Sequence, residues 1–328
     1  MKIIVTGGAG FIGSHLIDKL LDSGHEVIAL DNYSTGRKEN LGHIEDKIQI
    51  LECDISSKGD WGKSFSQVDA VFHLAALADI VPSIQNPESY FQSNVIGTFN
   101  ILYYCRKYSV NQLVYSASSS CYGIPNKYPT PETQIIDLQY PYALTKNLGE
   151  ELVLHWAKVY KINAVSLRFF NVYGPRSRTS GTYGAVFGVF LAQKLNNIPL
   201  TIVGDGKQTR DFTYVTDVAK ALHSLLNHQI SNEIFNVGSG QTVSVNKIAD
   251  LIGGRGYEKV FIPKRPGEPN CTFADISKIK KVIGWEPVVK IEEGVRNVLD
   301  NIEYWRDAPA WTPEKIEIET EDWFKYLK

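Results

Sequence analysis

An α/β fold, with a doubly wound parallel sheet and a smaller C-terminal α/β lobe, is what this sequence predicts, on three observations. Short apolar runs of strand type alternate with helical patterns through the first half of the chain, and that alternation produces a parallel sheet covered on both faces. A glycine-rich loop joins the first strand directly to the first helix. After Gly174 the rhythm changes to shorter, less regular elements.

In chain order, Lys2–Thr6 is an apolar strand, and 11–21 carries apolar residues at helical spacing. Glu26–Asp31, 47–54, 70–74, 112–117 and 164–169 continue the strands, with helices predicted over 95–108 and 143–160. A polar loop over 175–182 precedes a helix over 187–195, and Gly204-Asp-Gly206, Gly238-Ser-Gly240 and Gly253-Gly254 break the stretch beyond that helix. Glu233–Val237 is expected to return to the main sheet. Thr312-Pro313-Glu314 is a helix start, a cap followed by proline and an acid. Trp305, Trp311 and Trp323 predict that this tail packs on the body of the protein.

The chain has 328 residues, of which 43 % are hydrophobic and 21 % charged, enough apolar surface for a large core and against global disorder. Lys plus Arg number 34 against 36 Asp plus Glu, a balance that argues against a dedicated nucleic-acid or membrane-surface binder. Cys53, Cys105, Cys121 and Cys271 are far apart with no CxxC pair, so zinc ribbons and disulfide scaffolds fade and a reducing compartment is expected. No run approaches the roughly 20 apolar residues of a spanning helix, and the expected location is cytoplasmic.

Thr6-Gly7-Gly8-Ala9-Gly10-Phe11-Ile12-Gly13 follows a strand and opens a helix, and Asp31 ends the second strand 18 residues after Gly13. That context is the dinucleotide fingerprint, in which glycines admit a pyrophosphate to the helix N-terminus and the acid accepts from ribose hydroxyls. The fold is therefore Rossmann-like. A carboxylate at Asp31 repels a 2′-phosphate, which selects NAD over NADP. Arg37, six positions on, is expected to be solvated. Asp54, followed by Ile55, ends the third strand either as an adenine contact or as a strand-end cap. Residues 1–174 are assigned to the NAD-binding domain, with about 207–240 returning to it; 175–305 form mainly the substrate lobe and 306–328 the tail helix.

Tyr142-Ala-Leu-Thr-Lys146 sets a phenol and an ammonium one helical turn apart on one face. A free phenol, with a pKa of about 10, is a poor base at neutral pH, and a neighbouring cation stabilises the phenolate. Lowering it by about 3 units takes roughly 4 kcal/mol, within reach of one cation plus a positively charged nicotinamide ring. Ser118, Ser119 and Ser120 follow the fifth strand, at the sheet edge where ligands of such folds bind.

Together with His73-Leu-Ala-Ala76, Asn94-Val-Ile-Gly-Thr98, Arg168-Phe-Phe-Asn171, Arg210-Asp211, Asn236-Val-Gly238 and Arg265-Pro-Gly-Glu268, these motifs resemble the extended short-chain dehydrogenase/reductase superfamily. Within it the chain looks like the nucleotide-sugar epimerases of the UDP-glucose/UDP-N-acetylglucosamine 4-epimerase type, over most of its length. The resemblance implies NAD held by Gly7, Gly10, Phe11, Ile12, Gly13, Asp31, Asn32, Asp54, Ile55, Leu74, Ala75, Ala76, Asn94 and Phe169. Tyr142 would be the catalytic base, Lys146 its activator and ribose ligand, and Ser118 the partner of the reacting hydroxyl. Ser119, Ser120, Asn171, Arg210, Arg265 and Thr272 would contact a UDP-sugar, and forked guanidinium donors suit its phosphates. His73 is expected to pack within its strand.

Among the family's reactions, dehydratases carry Asp-Glu where this chain has Ser119 and Ser120, decarboxylases carry glutamate at Ser120, and epimerases acting at C3 and C5 need a Cys/Lys pair that Cys105 and Cys121 do not supply. Inversion at C4 remains. Thr272 stands where the type enzyme in some bacteria has a tyrosine, leaving room for a 2-acetamido group. The alternative is a UDP-glucuronate 4-epimerase with a carboxylate ligand near Arg178 or Thr179, or another oxidoreductase of the superfamily. Ala78-Asp79 replaces a lysine of the type enzyme near the cofactor phosphates, so their charge must be met from elsewhere. The family implies a homodimer through the two long helices, with Leu102, Tyr103, Leu152 and Trp156 as contacts, and no metal.

Overall fold

The computed structural model describes residues 1–179 and 184–327, and opens with β1 (Lys2–Thr6), α1 (Phe11–Asp22), β2 (Glu26–Asp31), β3 (Gln49–Glu52) and β4 (Ala70–His73). Next come α2 (Ile80–Gln85), α3 (Pro87–Phe91), α4 (Gly97–Lys107), β5 (Gln112–Ser118), α5 (Pro141–Tyr160) and β6 (Asn163–Phe169). The chain continues through β7 (Asn171–Tyr173), α6 (Val186–Leu195), β8 (Leu200–Val203), β9 (Thr209–Arg210), β10 (Phe212–Tyr214), α7 (Val215–Ser224) and β11 (Glu233–Val237). It ends with β12 (Val243–Ser244), α8 (Val245–Gly253), β13 (Lys259–Ile262), α9 (Ser277–Ile283), α10 (Ile291–Asp300), α11 (Pro313–Glu319) and α12 (Glu321–Tyr326).

Seven strands pair in parallel in the order β11-β6-β5-β4-β1-β2-β3. Side chains alternate across a strand, so Ile3 and Val5 join Leu16, Leu20 and Leu222 on one face while Ile4 joins Val71, Ile101 and Val153 on the other. Burying each such side chain is worth about 1.5–3 kcal/mol, and the double coverage makes the sheet a rigid base. The strand order reverses at β1, between β2 and β4, which opens a crevice at the carboxyl ends of the strands.

A third core gathers Phe190, Leu191, Ile202, Ile248 and Val298 in the lobe, and Trp305, Ile316 and Trp323 belong to it. The tail therefore docks on the lobe. Its start is capped as expected, the Thr312 hydroxyl accepting from the Lys315 N–H.

Several expected boundaries move. β3 is shorter than 47–54 because Glu45–Lys47 forms a 3₁₀ turn. The helix expected from 95 begins at Gly97, behind a π turn over Gln92–Ile96. The return to the main sheet runs through α7 against α1 and through β11 beside β6; β9 instead pairs with β12. Ile279, Ile283 and Trp285 also join the main core, and the Trp285 indole N–H donates to the Asp217 carbonyl at 3.0 Å. Leu102 and Trp156 are buried inside the chain, so they are not contact residues; the exposed apolar side chains of α4 and α5 are Phe99, Leu144, Val159 and Tyr160. Of the polar loop at 175–182, residues 180–182 lie outside the described residues.

Candidate active site

A cleft of about 650 Å³ runs from the glycine loop across the carboxyl ends of the strands and into the lobe. At its first end, Gly7 adopts φ +68, and a Cβ there would lie 2.8 Å from the Ala75 amide nitrogen. A Cβ on Gly13 would stand 2.1 Å from the Gly7 carbonyl oxygen. Only glycine fits at either position, which leaves the N-terminus of α1 bare for a pyrophosphate. Asn40 stabilises the loop, donating from Nδ2 to the Ala9 carbonyl at 2.8 Å.

The Asp31 carboxylate is buried at the end of β2 and accepts from the Ala9 and Tyr33 N–H groups at 2.9 and 2.8 Å. Burial raises its pKa, and those backbone donors oppose the rise. Asn32, Asp54, Ile55, Leu74, Ala75, Ala76 and Phe169 line the same cleft. The Asp54 carboxylate accepts from the Ser56 N–H at 2.8 Å, closing a turn rather than facing a cation. This cradle and its acid fit an NAD molecule.

Asn94 is a correction. It is buried away from the cleft, where its Oδ1 accepts from the Leu77 N–H at 2.8 Å and its Nδ2 donates to the Leu77 carbonyl and to Thr145 Oγ1, both at 3.0 Å. Its side-chain hydrogen-bonding groups are spent on holding the segment after β4 against α5. The π turn brings Ser93 to the cleft instead. His73 is structural as expected, with Nδ1 2.8 Å from Thr6 Oγ1 and Nε2 2.9 Å from Thr98 Oγ1. Burial, together with the Lys146 charge, lowers its pKa to about 3.

Ser118, Tyr142 and Lys146 line the middle of the cleft. Ser118 Oγ accepts from Ser120 Oγ at 2.8 Å, which leaves its own proton for a ligand oxygen or the Tyr142 phenol. Lys146 Nζ stands 4.5 Å from the centre of the Tyr115 ring. The protein's own groups do not supply the expected lowering of the Tyr142 pKa, which counts the nicotinamide charge as well. Burial pushes the phenol up to about 12, partly offset by the hydrogen bond with Ser118, while Asp79 and Cys121 push it further up. Burial also lowers Lys146 to about 7, against the attraction of Glu150. In a dry site both groups favour their neutral forms.

Charge at Asp79 is met by Arg178, whose Nη1 donates to the carboxylate at 2.7 Å. The sequence gives no sign of this pairing, since the two lie in separate loops. Arg37 is not simply solvated: its Nη1 donates to Thr179 Oγ1 at 3.0 Å and its guanidinium stacks over Tyr304. Cys121 is buried behind the serines with its thiol pushed up to about 12, an inert packing residue.

Towards the lobe, Ser119, Ser120, Asn171, Arg210, Arg265 and Thr272 all line the cleft. The Thr272 hydroxyl donates to Asn171 Oδ1 at 2.9 Å and accepts from the Asp211 N–H at 3.1 Å, so it fixes Asn171. Arg210 Nη2 donates to Glu268 at 2.9 Å. On the lobe side Val189, Thr201, Phe212 and Val245 also line the cleft. Sequence reading missed these four lining residues, because they come from four elements with no shared motif. Trp323 also reaches the cleft. Among the described residues, no group of His, Cys, Asp and Glu is placed to hold a metal, and no helix is long and apolar enough to cross a membrane.

The model of the NAD dependent epimerase/dehydratase family matches residues 3–238. A Methanocaldococcus jannaschii protein provisionally assigned as a UDP-glucose 4-epimerase is 41 % identical over 91 % of this chain and 97 % of its own length. The UDP-glucuronic acid 4-epimerase of Bacillus cereus, solved with UDP-glucuronic acid and NAD, aligns with a TM-score of 0.85 at 33 % identity over 92 % of this chain and 99 % of its own. The UDP-N-acetylglucosamine 4-epimerase of Methanobrevibacter ruminantium, solved with UDP-N-acetylmuramic acid, aligns at 0.86 and 32 % identity over 93 % and 98 %.

Proposed function

The chain belongs to the NAD-dependent epimerase/dehydratase family and is an NAD-dependent nucleotide-sugar epimerase of the UDP-sugar class, and we propose that it inverts C4 of UDP-glucose and UDP-N-acetylglucosamine. The observation that carries the reading is the meeting of Ser118, Tyr142 and Lys146 with the glycine cradle and the lobe arginines in one cleft.

The glycine cradle and Asp31 would hold NAD, which would supply the hydride acceptor and donor for C4. Tyr142 takes the proton of the 4-hydroxyl and later gives it back, with Ser118 holding that oxygen in line. Lys146 would hold the cofactor ribose, one helical turn from the phenol on the same face of α5. Arg210 and Arg265 grip the diphosphate, so the 4-keto sugar turns over without leaving. Asn171, oriented by Thr272, contacts the diphosphate between sugar and base, and the uracil lies toward the lobe lining that includes Val189, Phe212 and Val245.

Glucuronate is disfavoured. Arg178 is engaged with Asp79, and Thr179 accepts from Arg37. A homodimer through α4 and α5 is supported by their exposed Phe99, Leu144, Val159 and Tyr160. A cytoplasmic location is supported by four free cysteines.

The test incubates purified protein with UDP-glucose, UDP-N-acetylglucosamine and UDP-glucuronate separately and resolves the products chromatographically. The first two convert to their C4 epimers with no net growth of NADH absorbance. Conversion of UDP-glucuronate alone overturns the substrate assignment, and steady NADH release overturns the epimerase cycle.

A further inference from the structure

The tail, 306–328, is not needed to complete the sheet or the glycine cradle, yet it carries a side chain into the cleft. Trp323 is 3 % exposed and lies on α12, which packs against α2 of the main domain. Its indole N–H donates to the Pro266 carbonyl at 2.8 Å. The Arg265 guanidinium sits over its ring, 5.3 Å from the centroid. The ring also approaches Tyr140, two residues before the catalytic tyrosine, with 6.4 Å between ring centroids.

Arg265 belongs to a stretch without regular secondary structure that passes through Gly267 at φ +70. A long side chain on such a segment loses considerable conformational entropy when it must hold one position. An aromatic ring beneath the guanidinium and a hydrogen bond to the next carbonyl restrict both side chain and backbone before substrate arrives. Gln85 Nε2 donates to the Glu319 carbonyl, tying the tail to α2 as well.

We propose that Trp323 is a positioning residue for the substrate diphosphate: it holds Arg265 in its binding pose, and the C-terminal tail thereby completes the nucleotide-sugar site. The proposal rests on the reading of Arg265 as a diphosphate ligand. Trp323 touches no reacting atom, so its loss falls on affinity rather than on the chemical step.

The experiment measures UDP binding by titration calorimetry on the NAD-loaded full chain, with steady-state kinetics on UDP-glucose, for W323L, W323F, R265A and the W323L/R265A double variant. W323L weakens UDP by about 3- to 30-fold, the range of a cation–π contact. It raises KM by a similar factor with kcat much less affected, and leaves NAD affinity unchanged. W323F, which keeps a ring but lacks the N–H, falls between W323L and the parent and guards against a folding defect in the smaller variant. The double variant binds UDP no worse than R265A, because Trp323 acts through the arginine. UDP affinity lost in R265A but kept in W323L overturns the proposal alone, as do losses that multiply in the double variant. UDP affinity unchanged in R265A overturns the reading of Arg265 and the proposal with it.

Discussion

Tyr142 and Lys146 share one face of α5, and burial drives each toward its uncharged form, the phenol up to about 12 and the ammonium down to about 7. A base in that state is weak until a positive charge settles beside it, and oxidised nicotinamide supplies one. Removing the phenol leaves the cradle and the arginines intact. Tyr142→Phe is expected to cut interconversion of UDP-glucose by about 10²–10⁴-fold, the usual worth of general acid–base catalysis, with NAD retained on gel filtration; undiminished turnover would move the base to another group. Lys146 makes a separate prediction about stability. Below pH 7 it is protonated in both folded and unfolded chains, and the folded state carries the full desolvation penalty. Between about 7 and its ordinary 10.5 only the unfolded chain holds the proton, so this contribution to stability rises with pH through that window. In protein stripped of NAD, Lys146→Met is expected to melt above the parent at pH 6, with the gap closing toward pH 10. A gap that stays constant with pH would show that Lys146 does not titrate there.

At the scale of elements, α5 is fixed to the sheet by a buried ion pair. Glu150 accepts from Arg168 on β6 at 2.5 Å and from Ser166 Oγ at 2.7 Å, both partners almost fully buried. Arg168 Nη1 also donates to the Tyr122 hydroxyl at 2.9 Å. This network sets the height of α5 above the sheet, and with it the position of Tyr142 relative to Ser118. Glu150→Ala leaves a guanidinium buried without its counter-ion, and a loss of about 3–5 kcal/mol is expected in denaturant titration. A loss under about 1 kcal/mol would mean that water reaches Arg168 and that the pair is dispensable. Arg168 was visible in the sequence as part of a motif. Its partner was not, because a helix residue and a strand residue meet only through the way α5 lies on β6. Asn94 makes the same point. Its place in a motif suggested a ligand, and the π turn made it a clamp on Leu77.

For the molecule as a whole, the main sheet draws on distant parts of the chain, since β11 pairs with β6 and α9 packs into the main core after the lobe has begun. The cleft lies between parts that cannot be separated by a single cut. The apolar side chains left exposed on α4 and α5 belong to this scale also. Sedimentation velocity is expected to give twice the chain mass, and Leu144→Glu with Phe99→Glu to return it to the monomer; a monomeric parent would remove the dimer.

The glycine loop, the acid at the end of β2, the Tyr-xxx-Lys spacing and the alternation of strands were all legible without a structure. Each depends on residues close in sequence, where backbone geometry and helical or strand period decide the outcome. The lobe side of the cleft lining, the Asp79–Arg178 pair, the inward turn of Leu102 and Trp156, and the seat of Trp323 on Arg265 were decided only by tertiary packing. They join residues far apart in the chain, and nothing in either local segment records which distant side chain will exclude its water.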